Sequence, residues 1–400
     1  MAKEAGDHGL RVEEIQEALR EENLDGWLFF DHHERDPLAY RVLQFHPEQK
    51  PTRRWYYFIP SHGEPQALVH RIESRMLDAL PGRKVRYASW SEQAEALGRM
   101  LTGCRTVAMQ YSPECAVPYV AMVDAGTVDL VRSYGPEVVS SADLIQIFEA
   151  RWNREKLESH LEAGRRVDAV RRAAFELLGE RLRSLQRIGE WEVKRFILDR
   201  FAEAGLYTDH GPIVAANAHS ADPHYEPTEE SSTLIRAGDW VLIDLWAKLQ
   251  APGSVYYDVT WTGYCGNSVP EEMARVFGIV TEARDRAVAR VSEAFEERVP
   301  LAGFEVDDAA RQYIREQGYG AYFFHRTGHS IGEEVHGAGA NMDNLETHDT
   351  RRVIPWTCFS VEPGVYLRDF GVRSEVDVFV DEDRARVTGE IQESPVLICP

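Results

Sequence analysis

Two strand-like segments in the second half of the chain each carry one acidic residue among apolar neighbours. Asp244 follows the apolar run 241–243 in DWVLIDLWAK, and Asp258 lies in SVYYDVTWTG. Burying a carboxylate in a sheet is costly unless it pairs with a cation or binds a metal ion. If the connecting loop is centred on Ala251, the two acids face each other across a hairpin at about 5 Å. Such a pair repels strongly unless a cation lies between them, although either acid alone is equally compatible with a turn or a salt bridge.

The same pattern recurs near the C-terminus of the sequence. Glu362 lies in TCFSVEPGVYL and Glu375 lies in GVRSEVDVFV, and we expect both glutamates within strands. Arg373 and Asp377, two residues before and after Glu375, share its face of the strand because strand side chains alternate. A simple Arg–Glu pair on an exposed face is the alternative for either strand taken alone.

The segment RTGHSIGEEVHG, residues 326–337, has two interpretations. G-H-S-I-G fits the nucleophile elbow of a serine hydrolase, with Ser330 as the nucleophile, whereas His329 is a candidate metal ligand. An elbow requires a helix after the serine, but the segment that follows is rich in Gly and Asn. The downstream triad partners, Asp343 and His348, are only five residues apart. We therefore favour His329 as a metal ligand.

One histidine and four acids make a ligand set for hard or borderline cations. The four carboxylates carry four negative charges, which two divalent cations neutralise. A single imidazole among oxygen ligands suits Mn²⁺, Co²⁺, Fe²⁺ or Zn²⁺. Hydrolases with two-metal sites hold their ions about 3.5–4 Å apart.

The remaining sequence predicts two domains and a cytoplasmic protein. Residues 1–150 alternate helix-like and strand-like segments, which indicates a small α/β domain, whereas residues 151–400 combine long helices with antiparallel strands, an α+β pattern. The net charge of −21 disfavours nucleic acid and anionic membranes as partners. The five cysteines are scattered, the first ten residues lack an apolar secretion segment, and no apolar run is long enough to cross a membrane.

With these motifs in order, the sequence resembles the M24 metallopeptidases, which share the pita-bread fold. It is most similar to their Xaa-Pro branch of prolidases and aminopeptidases, with a creatinase-like N-terminal domain over 1–150 and the catalytic domain over 151–400. The resemblance covers nearly the whole chain and is strongest from about 205 to 380. The family's ligand order matches Asp244, Asp258, His329, Glu362 and Glu375. Further matches are His224 in ADPHYEP, His325 four residues before His329, His336 in EEVHG and Arg373 in VRSE.

The resemblance implies a dinuclear site and a role for each matching residue. Asp244 binds one ion, His329 and Glu362 bind the other, and Asp258 and Glu375 bridge both. Mn²⁺ is the expected metal, with Co²⁺, Zn²⁺ or Fe²⁺ as alternatives. A metal-bridging hydroxide attacks the carbonyl before proline, and Glu362 passes the proton to the leaving nitrogen.

The resemblance also implies how substrate and partners are recognised. His224 and His336 hydrogen-bond the substrate and the developing oxyanion, while His325 and Arg373 line the proline end or support the ligands. The expected partner is a small peptide with proline after the scissile bond, either a dipeptide or a longer peptide. The expected assembly is a homodimer.

The sequence departs from the family pattern at two aromatic positions. Trp246 replaces the glycine two residues after the first aspartate, and Trp261 replaces the arginine three residues after the second. Both tryptophans are expected to add bulk close to the metals and to alter substrate preference. The alternatives are hydrolysis of another small amide or ester by the same centre, and a catalytically silent pita-bread module that binds a partner. Silent relatives typically lose ligands, and this chain keeps all five.

Overall fold

The computed structural model describes residues 11–45, 50–184 and 186–398. The chain divides into two compact units, Met1–Glu149 (unit 1) and Ala150–Pro400 (unit 2). Within the described ranges, no helix combines the length and apolar composition needed to cross a membrane. Four described cysteines, Cys104, Cys115, Cys265 and Cys358, are free thiols, and Cys399 lies outside the described residues.

Unit 1 is a mixed six-stranded sheet with helices. Its strands are β1 (Gly26–Asp31), β2 (Trp55–Pro60), β3 (Gln66–His70), β4 (Arg83–Tyr87), β5 (Thr106–Met109) and β6 (Glu137–Ser140), in the order β4-β3-β2-β1-β5-β6. Its helices are α1 (Val12–Glu21), α2 (Pro37–Val42), α3 (Trp90–Met100), α4 (Ala125–Arg132) and α5 (Ala142–Ile145).

Local sequence signals account for the helices of unit 1. Helix α1 buries Val12, Ile15 and Leu19 at the spacing of one helical face. Helix α3 begins with a capping box, in which Ser89 and Glu92 each accept the other's backbone N–H. The cap of α3 thereby satisfies backbone donors that the helix's own turns leave free.

Unit 2 contains four long helices and several short antiparallel sheets. The helices are α6 (Arg154–Arg183), α7 (Glu190–Glu203), α8 (Glu271–Glu297) and α9 (Gly303–Glu316). The strands are β7 (Ile188–Gly189), β8 (Leu206–Tyr207), β9 (Ile213–Ala216), β10 (Leu234–Ile235), β11 (Trp240–Leu249), β12 (Tyr257–Tyr264), β13 (Ser330–Ile331), β14 (Cys358–Val361), β15 (Gly364–Tyr366), β16 (Gly371–Arg373), β17 (Val376–Val380), β18 (Ala385–Thr388) and β19 (Val396–Leu397).

Two of these sheets each pack against helices through a separate hydrophobic core. The two sheets approach each other on the faces that the helices do not cover. Helices α6 and α7 cover the sheet β19-β12-β11-β8, to which β9 is added through β11. Helices α8 and α9 pack on the side of β14, β17 and β18. Strands β12 and β17 are in contact, and the Asp258 amide donates to Asp377 Oδ2 at 2.9 Å. The faces between the two layers therefore carry the polar residues.

Helix α6 approaches its sheet closely because of one glycine. Gly164 faces the ring of Tyr257 on β12, and a Cβ at this position would lie 2.8 Å from that ring. Real Cβ atoms do not come so near other atoms, so any larger residue would push the helix from the sheet. The glycine thus sets how near α6 can pack behind Asp258, the next residue on β12.

Candidate metal centre

The hairpin of β11 and β12 places two of the predicted ligands on one face. Asp244 pairs with Thr260, and Trp246 pairs with Asp258. The prediction that Asp244 and Asp258 lie directly opposite each other is therefore wrong, because the turn lies one residue further along than Ala251. The two aspartates are diagonal neighbours on the same face, since strand side chains alternate.

Glu362 and Glu375 lie at breaks between strands, which corrects the expectation that both lie within strands. Strand β14 ends at Val361 and β15 begins at Gly364, while β16 ends at Arg373 and β17 begins at Val376. Pro363 follows Glu362 and has no N–H for a ladder.

Backbone hydrogen bonds hold both glutamates at these breaks. The Glu362 amide donates to the Thr327 carbonyl at 2.7 Å, and the Glu375 amide donates to the Thr260 carbonyl at 3.3 Å. Because the backbone leaves the strand ladder at each break, its amide can bond to another segment. Glu362 is thereby linked to the segment of Thr327, and Glu375 to β12.

Three of the five predicted ligands already have geometry suited to one cation. Ligand atoms of Asp258, His329 and Glu375 all lie within 4.8 Å of one another, and all three residues are buried. His329 Nε2 also lies 3.6 Å from Asp258 Oδ2 and 3.4 Å from Glu362 Oε1. The structure therefore brings together side chains that are up to 117 residues apart in sequence.

The hydrogen bonds of His329 indicate its tautomer. Its Nδ1 lies 3.2 Å from the Ser330 carbonyl oxygen, which can only accept, so Nδ1 carries the proton. Burial also lowers the pKa of His329 well below its usual value, which keeps the ring neutral. The Nε2 lone pair thus faces the carboxylates and is available to a metal ion.

The carboxylates carry more negative charge than their described partners balance. Burial raises the pKa of Asp258, and the nearby charges of Asp244, Asp377 and Glu362 raise it further. Burial likewise raises the pKa of Glu375, and the nearby charges of Asp258 and Glu362 raise it further. Burial also raises the pKa of Glu362, to about 7. Four acids so placed favour protons or cations between them.

Asp244 has one oxygen that fits a metal ligand. Its Oδ2 pairs with Arg373, whereas its Oδ1 is buried and has no hydrogen-bond partner among the described residues. An orphaned carboxylate oxygen is costly to bury. Together with the donor set around His329, this oxygen fits a site for divalent cations.

A chain of hydrogen bonds connects Asp244 to His325. His325 Nδ1 lies 2.6 Å from the Arg326 carbonyl and must donate to it, so His325 Nε2 accepts from the Tyr366 hydroxyl at 2.7 Å. That hydroxyl in turn accepts from Arg373 Nη1 at 3.3 Å. Both ring nitrogens of His325 are therefore engaged, and His325 acts on the site through Tyr366 and Arg373.

The two remaining predicted histidines lie at the exposed rim of the site. The ring of His336 packs edge-on against His329, with 4.3 Å between ring centroids. His224 is exposed, and burial raises the pKa of Asp244, an effect that the Arg373 guanidinium and, more weakly, the nearby His224 oppose. Both positions are open to a ligand that approaches the carboxylates.

Sequence reasoning missed polar residues that support the site. Thr260 accepts from Arg373 Nε at 3.1 Å and donates to Glu375 Oε2 at 2.7 Å, and Ser360 donates to Glu362 Oε1 at 3.2 Å. Tyr366 joins Arg373 to His325 as described above. Thr260 and Ser360 each lie two residues from a predicted ligand, and that spacing on a strand is a signal that could have found them.

The two unusual tryptophans lie on opposite faces of the hairpin. Trp246 shares the face of Asp244 and Asp258, as expected. Trp261 pairs with Ile243 and packs in the core beneath α6, where the guanidinium of Arg171 lies 3.4 Å from its ring centroid. The expectation that Trp261 adds bulk near the metals is therefore wrong, because alternation turns it away from the carboxylates.

The surroundings of Ser330 differ from a nucleophile elbow. Ser330 is buried in the short strand β13, and its hydroxyl accepts the Gly339 amide at 3.0 Å. Asp343 accepts the amides of residues 345–347, and His348 contacts Asn344. These described contacts give Ser330 no triad, so the serine hydrolase interpretation is not supported.

Comparison with known proteins identifies the family. The model of metallopeptidase family M24 matches residues 158–382, which is more than half of the chain. The chain therefore belongs to metallopeptidase family M24, a family of hydrolases, and the predicted family is confirmed.

Individual relatives agree with this assignment. The Xaa-Pro dipeptidase of Pyrococcus furiosus is 33% identical over 175 residues, which cover 44% of this chain and 45% of that relative. Dipeptidase PepE of Mycobacterium ulcerans has a similar structure, with a TM-score of 0.68 and 20% identity over 98% of this chain and 97% of that one.

A third similar structure is an X-prolyl aminopeptidase of Caenorhabditis elegans. It is described as a cytosolic enzyme with a di-nuclear active site, and it has a TM-score of 0.63 and 18% identity over 95% of this chain and 61% of that one. These likenesses confirm the predicted α+β pita-bread fold.

Proposed function

We propose that this protein hydrolyses the peptide bond before proline in small peptides, as an Xaa-Pro dipeptidase or aminopeptidase. Two divalent cations, with Mn²⁺ as the preferred ion, would be held by five side chains. These are Asp244, Asp258, His329, Glu362 and Glu375. The α/β unit 1 would be a creatinase-like N-terminal domain, and the protein would act as a cytoplasmic homodimer.

One observation carries this proposal: buried acids surround an unprotonated imidazole nitrogen, and their described ion pairs involve only Arg373 and His329. The acids have too few described counter-charges, and the free Asp244 Oδ1 supplies a further lone pair. When bound, divalent cations lower the pKa of water to about 7 and polarise a carbonyl oxygen. Family membership and the names of the similar proteins support the choice of a peptide substrate.

The chain's own residues would divide the remaining tasks. Glu362 Oε1 lies beside His329 at the centre and would carry a proton to the leaving nitrogen. His336 and His224 at the rim would hydrogen-bond the substrate and its developing oxyanion. Arg373, held by Tyr366 and Thr260, would keep Asp244 in place.

The test is amino-acid release from Ala-Pro and from Ala-Pro-Ala by Mn²⁺-loaded protein, with a chelated sample as control. Release from Ala-Pro that stops on chelation would establish a dipeptidase, and release only from the tripeptide would establish an aminopeptidase. If neither peptide is cleaved while two ions are bound, the Xaa-Pro proposal fails and another small amide or ester becomes the candidate. If no ion binds, the chain is a silent module.

A further inference from the structure

Trp246 lies beside the candidate metal centre at a position where the family pattern has glycine. It is two residues from Asp244 on β11 and directly across from Asp258 on β12. Side chains at these positions point to the same face, so the indole stands next to the carboxylates. It is only partly buried, which leaves part of its surface for a ligand.

The surroundings of Trp246 form an apolar wall at one side of the carboxylates. The indole packs with Tyr225 against a cluster of Ile213, Ala215 and Leu242, and Ile213 is the cross-strand neighbour of Asp244. It also packs, together with Val335, against a second cluster that includes Tyr256 and Ile331. Tyr225 follows His224 and Val335 precedes His336, so apolar groups adjoin both rim histidines.

A hydrogen bond holds the indole in place. Trp246 Nε1 donates to Asp209 Oδ1 at 3.1 Å. Partial burial raises the pKa of Asp209, but hydrogen bonds from Trp246 and His210 outweigh this effect and lower the pKa overall. Asp209 therefore stays ionised at neutral pH, and the ring has a defined orientation.

Electrostatics decides which end of a dipeptide meets this wall. A dipeptide carries an ammonium group on its first residue and a carboxylate on its second. Asp209, which is not one of the proposed metal ligands, puts a negative charge on the Trp246 side that attracts the ammonium. The side chain of the first residue would then lie against the indole.

We propose that Trp246 is a specificity-determining residue that limits the first residue of the substrate to a small side chain such as glycine or alanine. This inference rests on the proposed Xaa-Pro peptidase function. A fixed indole occupies volume that a larger substrate side chain needs, and a packed site discriminates strongly against added bulk.

The experiment compares the Mn²⁺-loaded wild-type protein with Trp246→Gly on Gly-Pro, Ala-Pro, Leu-Pro and Phe-Pro. The wild-type kcat/KM should fall by at least about tenfold from Ala-Pro to Phe-Pro, and Trp246→Gly should raise the Phe-Pro to Ala-Pro ratio by at least about tenfold, mainly through KM. Trp246→Leu keeps an apolar contact and should shift the ratio in the same direction by a smaller factor. It covers the case in which the glycine variant does not fold.

Trp261→Phe is the matched control, because Trp261 lies on the same hairpin but faces the α6 core. It should leave the ratio within about twofold of wild type. Calorimetry on the metal-free wild-type and Trp246→Gly proteins measures the Kd of the same dipeptides. The ratio of Kd for Phe-Pro to Kd for Ala-Pro is a second measure of the size limit that requires no turnover.

The outcomes separate the two proposals. Turnover with an unchanged ratio in folded Trp246 variants, or an equal change in Trp261→Phe, overturns the role of Trp246 and leaves the peptidase function intact. If no dipeptide is turned over but Trp246→Gly reverses the binding preference for Ala-Pro over Phe-Pro, the peptidase proposal fails and the proposed size limit stands. Absence of both turnover and a change in binding preference overturns both.

Discussion

Two groups of buried side chains in unit 2, one with the single acid Asp307 and one with the acids around His329, differ in how the acid charge is balanced. Asp307 accepts hydrogen bonds from Nε and Nη2 of Arg311 at 2.6 and 2.7 Å, and from the amide and hydroxyl of Thr327 at 2.9 and 2.6 Å. The acids around His329 instead face one another, and Arg373 is the guanidinium that pairs with them in the described structure. Charge is balanced within the protein in the first group and left unbalanced in the second.

This difference supports the proposal that the acids around His329 bind cations, because their neighbours do not balance their charge whereas those of Asp307 do. Asp307 and Arg311 have a structural task, because Asp307 holds Thr327, which lies two residues before His329. The Thr327 carbonyl also accepts the Glu362 amide. A buried charge without partners is costly, so it persists where a bound ion repays the cost. The first group therefore positions the second.

The largest expected effect is that of Asp258→Asn. Loss of the central charge should remove metal binding and lower kcat/KM by at least about a thousandfold, while the stability of the metal-free protein is kept because repulsion is relieved. Metal content by mass spectrometry, kinetics and thermal melting measure these effects, with the exposed Asp383→Asn as control. Full activity with two ions bound would contradict the placement of Asp258 at the centre.

Asp307→Asn should show the reverse pattern. It leaves the buried Arg311 without its carboxylate, which typically costs about 3–5 kcal/mol of unfolding free energy. Urea denaturation of the metal-free protein measures the loss. If Asp307→Asn is as stable as wild type, the contrast between a structural pair and a ligand cluster does not hold.

Removal of divalent cations should destabilise the protein more at pH 8 than at pH 5.5. Burial raises the pKa of Glu362 from its usual 4.5 to about 7. The metal-free fold thus binds a proton that the unfolded chain has already released, and it loses stability as pH rises from about 4.5 through 7. The loss is on the order of 2–4 kcal/mol and should appear as a lower Tm after chelation. A Tm drop that is equal at both pH values would count against uncompensated carboxylates.

The smallest expected effect is that of Ser330→Ala. The variant loses the acceptor of one backbone N–H, at a cost of about 1 kcal/mol, and should keep kcat/KM within about twofold of wild type. Steady-state kinetics checks this, with His329→Asn as the inactive companion. An inactive Ser330→Ala that still binds two metal ions would restore Ser330 as a nucleophile.

Local sequence patterns predicted the long helices and the longer strands, because burial periodicity acts over a few residues, but they did not predict the short helices α2, α4 and α5. Val12, Ile15 and Leu19 on α1 follow such a pattern. The same local reasoning singled out Asp244 and Asp258 as acids inside apolar runs. The full ligand set came from the resemblance to the family, which supplies the order of residues and not their distances.

The sequence by itself determined the family, the fold class and the types of residue available to the site. Tertiary structure alone decided the hairpin register, the strand breaks at Glu362 and Glu375, and the link between His325 and Tyr366, which are 41 residues apart. It also decided that Trp246 faces the carboxylates while Trp261 faces the core. Alternation along a strand shows which residues share a face, but only the packing of distant segments decides which face is core and which is site.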